Sequence, residues 1–482
     1  MTSSPSLLTT LLFLLALVGH GASTLSKALT RDVAIIGGGA SGTYAAVRLS
    51  QDLNTSIVLI EAQDHLSGHV STYIEPSTNT PIDYGVQSYI NYGPAANFFA
   101  RFGVETKPFA ARRLTSVPVD IETGARLTGY TPPSLNATNA GFAAWLAFVA
   151  RFETILDGPG YWDFPSPDRI PSDLLLPFGE FVARHPEIAP SIPRIAAISG
   201  IGAGGFKQLL TIDVVVAFGA PITRDVIAGG FIVPVVSNSL VYQRAYEVLK
   251  KDVLLRSRIK KAERRDKGVR LVVATPEGDV LVKAKRVLWT PYPSLDRNLV
   301  PFDVNQKEKD VFESWIVSPS FVGVLKVPCI PENYSIDYIA PAAVPADYLA
   351  VRDHRYTLRL DSTGPKGLGL FRALLSTNYS LTVEEAKQII AGDIQKLVEQ
   401  RTVEWSGSCD VEFKAFADHT GVMWPTQDKE ELEKGFVQRL YALQGYRSTW
   451  WTGRSFSAYY SSSVWAFTEG LLERLLKDLK GE

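Results

Sequence analysis

A chain of 482 residues, 46% hydrophobic and 21% charged, carries enough apolar material for one large core or two connected domains. That balance excludes a disordered chain. Its 49 basic and 50 acidic residues leave a formal charge of -1, which excludes the concentrated positive surface that a nucleic-acid partner requires.

The first element in chain order is the apolar stretch Leu7 to Val18, followed by Gly19, Gly21, Ala22 and Ser23. An apolar run of that length ending in small residues reads as a secretory signal, so residues 1-23 are expected to be removed on export. The run is too short to span a bilayer comfortably, and no later segment reads as a membrane helix. The expected location is therefore the secretory pathway or the cell exterior, with no stable membrane insertion after cleavage. Four Asn-X-Ser/Thr acceptors, at Asn54, Asn136, Asn333 and Asn378, agree with export. The two cysteines, Cys329 and Cys409, suit either one disulfide or two buried thiols.

Asp32 to Ile36 reads as a buried parallel strand, because it is apolar without alternation. Gly37-Gly38-Gly39-Ala40-Ser41-Gly42 follows it, then a helix from Thr43 to Leu49 and a second buried strand, Ser56 to Ile60, that ends in Glu61. Gly37 permits the tight turn, Gly39 lets backbone amides approach a diphosphate, and Gly42 allows close helix-strand packing. Ala40 opens the helix, whose N-terminal amides face the phosphates. Glu61, about 20 residues on, is placed to accept hydrogen bonds from ribose hydroxyls. Strand, turn, helix, strand and acid in that order predict a dinucleotide site.

Residues 106-220 are broken by Pro and Gly, with helices predicted near Phe142 to Leu156 and Pro177 to Arg184. A further α/β stretch has a helix around Leu240 to Leu249 and strands at Val253 to Leu255, Val269 to Ala274, Val280 to Val282 and Arg286 to Trp289. The basic run Lys260 to Arg265 contains its own acid and reads as a solvated turn or strand edge. A mixed region runs from about 300 to 435, and a final helix spans Ser462 to Leu479.

Several segments together resemble the flavin-containing amine oxidase superfamily, and in particular a fungal branch that includes beta-cyclopiazonate dehydrogenase. Polyunsaturated fatty acid double-bond isomerases resemble it more distantly. The similarity runs from Val33 through Glu61-Ala62-Gln63-Asp64-His65-Leu66-Ser67-Gly68-His69, where Ser67 stands in place of the first glycine of a Gly-Gly pair. It continues through Ile82-Asp83-Tyr84-Gly85-Val86-Gln87, the Gly229 to Val253 segment, and Tyr446 to Arg454 before the last helix. The resemblance implies FAD as cofactor. Gly68, His69, Val253, Gly453 and Arg454 would then join the fingerprint residues in binding it, while Tyr84, Gln87 and Trp451 would neighbour the flavin. Asp83 by itself reads as a turn residue.

The implied fold class is α/β: a Rossmann-like FAD-binding core assembled from discontinuous segments, with an inserted mixed α+β substrate domain. Cofactor segments are expected at 30-105, 221-300 and 436-482, and substrate segments at 106-220 and 301-435. The implied activity is oxidation of a small or medium organic metabolite, such as an amine or an indolic compound of specialised metabolism, with oxygen as acceptor. A redox-neutral double-bond isomerase acting on an unsaturated fatty acid and a non-catalytic flavin-binding protein are the alternatives. Relatives place a lysine from a similarly located strand near the flavin, which nominates Lys326. His419 is nominated because it precedes the last cofactor segment. No metal site is expected, since His185, His354 and His419 lack ligand spacing.

Overall fold

The computed structural model describes residues 27-421, 426-457 and 459-482, so the predicted signal segment lies outside the described residues. Its axis is the strand Lys27–Ile36, which pairs in parallel with Ile57–Ile60 on one side and with Gly278–Trp289 on the other. Val33 to Ile36 and Ile57 to Ile60 are buried throughout, as unalternating apolar strands are when both faces of a parallel sheet are covered. In the seven-stranded sheet, Val253–Leu254 lies outside Ile57–Ile60, and Gly268–Thr275 and Arg258–Arg265 extend the other side as antiparallel strands. The far end of Gly278–Trp289 pairs in parallel with Thr449–Trp451, from near the C-terminus. Three distant stretches thus build one Rossmann-like sheet, which is why the cofactor core is discontinuous.

The local expectations shift by a few residues. The helix after the glycine loop begins at Ala40 rather than Thr43, and the two short strands expected between Val280 and Trp289 are one strand. Arg258–Arg265 is an edge strand, but Arg264 departs from the solvated reading. It sits on the same strand face as buried Ala262, because side chains alternate. Its side chain is 0% exposed, with Nη1 and Nη2 donating to Glu308 at 2.6 and 2.9 Å and Nε donating to Asp303 at 3.0 Å. Glu308 arrives on the capped helix Gln306–Phe312. Arg447 closes the network on Asp303, so the sheet edge and the C-terminal segment share one ion-pair cluster.

A second, six-stranded sheet runs in the order Glu412–Asp418, Ser320–Lys326, Leu370–Thr377, Tyr356–Ser362, Tyr334–Ile339 and Thr115–Asp120. Its last pairing joins residues from either side of the cofactor segment at 221-300. One face packs Leu358, Leu360, Phe371 and Leu375 against Ala386, Ile390, Ile394 and Leu397 of the helix Val383–Glu399. Cys329 and Cys409 are joined in a disulfide, which settles the open choice between bond and thiols. The opposite face looks towards the first sheet.

Residues 106-220 are more helical than their prolines and glycines suggest. Leu135–Val149 and Phe178–Arg184 match the predicted helices, while Ile192–Ser199 and Thr211–Ala217 were not anticipated. Ile192–Ser199 has Pro193 in its first turn and ends on Gly200 at φ 74°, the asymmetry that favours Pro at helix starts and Gly at helix ends. The last helix, Ser461–Lys480, docks on the first through Trp465, whose Nε1 donates to the Ala40 carbonyl at 3.0 Å. Among the described residues no helix is long and apolar enough to cross a membrane.

The Arg264–Glu308 pair supplies a stability test. Glu308→Ala leaves a buried guanidinium without its bidentate partner and is expected to cost about 3–5 kcal/mol. The double variant Arg264→Met/Glu308→Leu is expected to recover most of that loss. Urea-unfolding midpoints with unchanged slopes would check both.

Candidate active site

The glycine loop leaves the first strand with Gly37 at φ 94°, and its amide donates to the Ile60 carbonyl at 2.9 Å. A Cβ on Gly42 would lie 1.9 Å from the Gly37 oxygen, so the helix can approach the strand only with glycine there. At Gly39 the nearest atom to an added Cβ is the Gly68 Cα at 3.5 Å, an ordinary contact. Gly39 therefore has no packing reason to be glycine; what needs the space is a ligand over the loop. Gly68, at φ 57°, lies so close that its own Cβ would be 2.7 Å from the Gly39 Cα. The replacement at Ser67 keeps the backbone role, since its amide donates to the Gly38 carbonyl at 3.0 Å.

Glu61 is buried at the end of the second strand, and its two carboxylate oxygens accept the amides of Gly38 at 2.6 Å and Gln63 at 2.7 Å. Each oxygen keeps lone-pair capacity for a ribose hydroxyl. Thr290, beyond the strand Gly278–Trp289, donates its amide to the Ile36 carbonyl at 3.1 Å. Gly453, at φ 97°, packs so that a Cβ would lie 2.6 Å from the Thr290 oxygen. All three strand ends converge on a cavity of about 1460 Å³, whose lining includes Gly37, Gly39, Ala40, Glu61, Gly68, His69, Gly453 and Arg454.

Arg454 is the strongest polar feature of this end. Its guanidinium lies over the Tyr459 ring, 3.4 Å from the centroid, while buried Nε and Nη2 have no hydrogen-bond partner among the described residues. Burial lowers its pKa, yet an arginine stays charged at neutral pH. The buried Ser67 hydroxyl is also unpartnered and lines the same space. A cation and a hydroxyl with unpartnered buried atoms, lining the same cavity as the glycine loop, fit the diphosphate of FAD.

Tyr84, Gln87 and His419 line the next part of the cavity. Tyr84 has its pKa raised by burial. Gln87 donates from Nε2 to the Asp83 carbonyl at 2.7 Å. Asp83 itself is occupied in the fold, accepting from Thr72 at 2.5 Å and from the Asn238 amide at 3.0 Å. His419 lies against His69 with ring centroids 4.6 Å apart and planes tilted by 32°, and its Nε2 lies 3.3 Å from the Ser71 hydroxyl. Burial, followed by the Arg454 charge, lowers the His69 pKa to about 4. Burial and the neighbouring His69 hold His419 well below the ordinary imidazole value. Both rings are neutral at pH 7.

Four nominated residues are placed elsewhere. Lys326 is exposed at the end of its strand, beyond the small apolar cluster of Ile82, Val324 and Leu370, where its ammonium stays hydrated. Trp451 is 1% exposed and packs against Trp289, Phe312 and Phe456, so it is a core aromatic rather than a flavin neighbour. Val253 pairs with Leu59 in the sheet, and the chain reaches the cavity only at Ser257, Arg258 and Ile259. Gly42 serves the loop by packing and does not line the cavity.

Missed altogether were Arg194, Arg359, Asp361 and Arg372, which line the opposite wall. Arg359 and Asp361 lie in a strand whose alternate residues are polar, a pattern normally read as a solvent face. The helix bearing Arg194 was signalled by Pro193 and Gly200. Among the described residues no group of three or more His, Cys, Asp or Glu could hold a metal ion.

Two experiments follow. Gly39→Ala is expected to fold normally but to lose most bound FAD, because space for the methyl exists in the protein and not under a diphosphate. Gly42→Ala is expected to destabilise the fold itself. Flavin absorbance per mole of protein and the thermal midpoint separate these outcomes. The histidines predict a pH effect: with pKa values below the unfolded value of about 6.5, the folded state binds fewer protons there. Their stability contribution is present above pH 6.5 and is lost as pH falls towards 4, the His69 value. His69→Gln should flatten the fall of the thermal midpoint across that window.

Comparison with known proteins agrees with the geometry. Residues 35–102 match the NAD(P)-binding Rossmann-like domain family. The FAD-dependent oxidoreductase pigF of Monascus ruber is 32% identical over 454 residues, covering 92% of this chain and 91% of that protein. The beta-cyclopiazonate dehydrogenase of Aspergillus oryzae is 29% identical, covering 93% of each. Among solved structures, the CLA-producing fatty acid isomerase from P. acnes aligns with a TM-score of 0.68 at 18% identity, over 92% of this chain and 98% of the other. A putrescine oxidase variant aligns with a TM-score of 0.61 at 14% identity, over 94% and 99%. These structural likenesses show a shared overall fold. The chain belongs to the family of FAD-dependent oxidoreductases that includes these fungal enzymes, and its cofactor is FAD.

Proposed function

We propose that this enzyme oxidises a medium-sized organic metabolite on the exported side of the cell and passes the electrons to dioxygen. The carrying observation is that one cavity of about 1460 Å³ joins the glycine loop to the inner face of the second sheet. A pocket for a single ligand usually measures about 300–1,000 Å³, so this one suits a dinucleotide and a substrate together. Bound FAD supplies the two-electron acceptor. The glycine-loop amides and Arg454 would hold its diphosphate, and Glu61 its ribose.

Substrate oxidation removes a hydride from carbon and a proton from the neighbouring atom. Neutral His419, steadied by Ser71 and packed against His69, is positioned to accept that proton. The sheet face orients the donor carbon and excludes bulk water. Dioxygen takes the two electrons and two protons and leaves as hydrogen peroxide.

Export draws support from three independent features. The Leu7 to Val18 run has the form of a signal segment. The Cys329–Cys409 disulfide suits an oxidising compartment. All four acceptor asparagines are exposed.

One experiment tests the whole reading. The full chain is expressed in a secreting host, recovered from the medium, treated with an endoglycosidase, and mixed anaerobically with candidate metabolites. Expected are a glycan-dependent mass shift, a flavin spectrum bleached by one compound, and recovery of the spectrum with peroxide on admitting air. A colourless protein that cannot be reconstituted with FAD would overturn the cofactor assignment. An isomeric product formed without oxygen uptake would replace oxidation by double-bond isomerisation.

A further inference from the structure

The second sheet turns an unusual face to the cavity. Register places its inward residues in rows across the strands. One row runs Ala417, Val322, Leu374, Arg359 and Asp337, and the next pairs Val324, Arg372, Asp361 and Ser335. The row therefore begins small and apolar beside the His419 segment and ends in charge. From the strand of Ala417 to that of Arg359 is three strand spacings, about 14 Å.

The charged end has a cation surplus. Asp361 accepts from Arg359 at 2.9 Å and from Arg372 at 3.0 Å, and Asp337 lies 3.4 Å from Arg359. Buried Arg352 adds a charge behind them. Arg194 faces the same space from the helix Ile192–Ser199, and no ion pair or hydrogen bond holds its side chain among the described residues. Desolvation in the cavity wall, followed by the Arg359 charge, pushes its pKa down, while Asp337 and Asp361 act the other way. Four guanidinium groups thus meet two carboxylates; Arg352 and Arg194 are left without an ion pair among the described residues, and Arg194 lines the cavity. Arg112 lines it too, donating to the Gly364 carbonyl at 3.0 Å.

We infer that the substrate is an apolar molecule bearing a carboxylate, bound with that group against Arg194 and Arg372 and its apolar body over Leu374, Val322 and Ala417 towards His419. An ammonium head would meet the cation surplus, so a free aliphatic amine does not match this wall. An indolic body matches the apolar floor when it carries an acidic group. The inference rests on the oxidoreductase reading of this same cavity and gives its substrate class.

The test is isothermal titration of the flavin-loaded full-length protein with decanoate and with decan-1-amine, at pH 7 and low salt. These probes share a chain length and carry opposite charge. Decanoate is expected to bind at least about tenfold more tightly than the amine, a gap that narrows as salt screens the charges. Arg194→Gln should weaken decanoate binding about tenfold while FAD absorbance per mole stays at the wild-type level, and Arg194→Lys should restore part of the affinity. Equal or tighter amine binding, no measurable decanoate binding, or an Arg194→Gln variant with undiminished affinity would overturn the inference. The wild-type comparison decides even if a variant fails to fold. The heat signal does not depend on turnover, whereas a failure of the oxidoreductase reading would appear as missing flavin or an unreducible one.

Discussion

The parallel register of the Lys27–Ile36 strand against its two neighbours is the constraint on which the rest of the molecule depends. Ile36 lies opposite Ile60 on one side and Trp289 on the other, so the next residues on all three strands emerge at one edge. Gly37, Glu61 and Thr290 are those residues. Thr449–Trp451 adds a fourth strand end, and the Thr452 amide donates to the Trp289 carbonyl at 2.8 Å, delivering Gly453 to the same edge. Ligands of open α/β sheets bind beyond the carboxyl ends of parallel strands. A slip of one residue would turn every buried strand side chain over and scatter the loop, the acid and the arginine.

Two arginines show how the molecule treats charge differently in scaffold and site. Arg264 is wholly enclosed, but Glu308 and Asp303 satisfy it in a bidentate cluster, so its burial fastens the sheet edge to the C-terminal segment. Arg454 is half-buried, with its buried Nε and Nη2 unpartnered among the described residues and the Tyr459 ring beneath its guanidinium. Leaving a buried cation uncompensated is costly. At the mouth of a glycine loop that cost is offset when an anionic cofactor binds.

The second sheet does two jobs with its two faces. The face against Val383–Glu399 is a closed apolar core, reinforced at one end by the disulfide. The other face is turned to the cavity. Its serines, small apolar residues and arginines remain open to the cavity, where the first sheet supplies the opposite wall. Discontinuous insertion makes this possible, because the second sheet gathers strands from both sides of a cofactor segment.

The cofactor half was largely legible in the amino-acid sequence. Unalternating apolar strands, a glycine trio at helix-start spacing and Glu61 at a strand end are local signals, and local geometry is what dinucleotide binding uses. Where sequence reasoning failed, the deciding contacts were remote. Trp451 joined the core because Trp289 and Phe312 fold against it, and Lys326 stayed in water because Ile82 and Leu370 close the strand end behind it. The alternation of Arg359 and Asp361 fixes that both point to one side of their strand, but not whether that side meets water or a cavity. By itself the sequence determined the nucleotide loop, the strands that frame it and the cofactor class. The substrate wall was decided only by tertiary structure, since a polar strand face acquires its meaning from whatever the chain, hundreds of residues away, folds opposite to it.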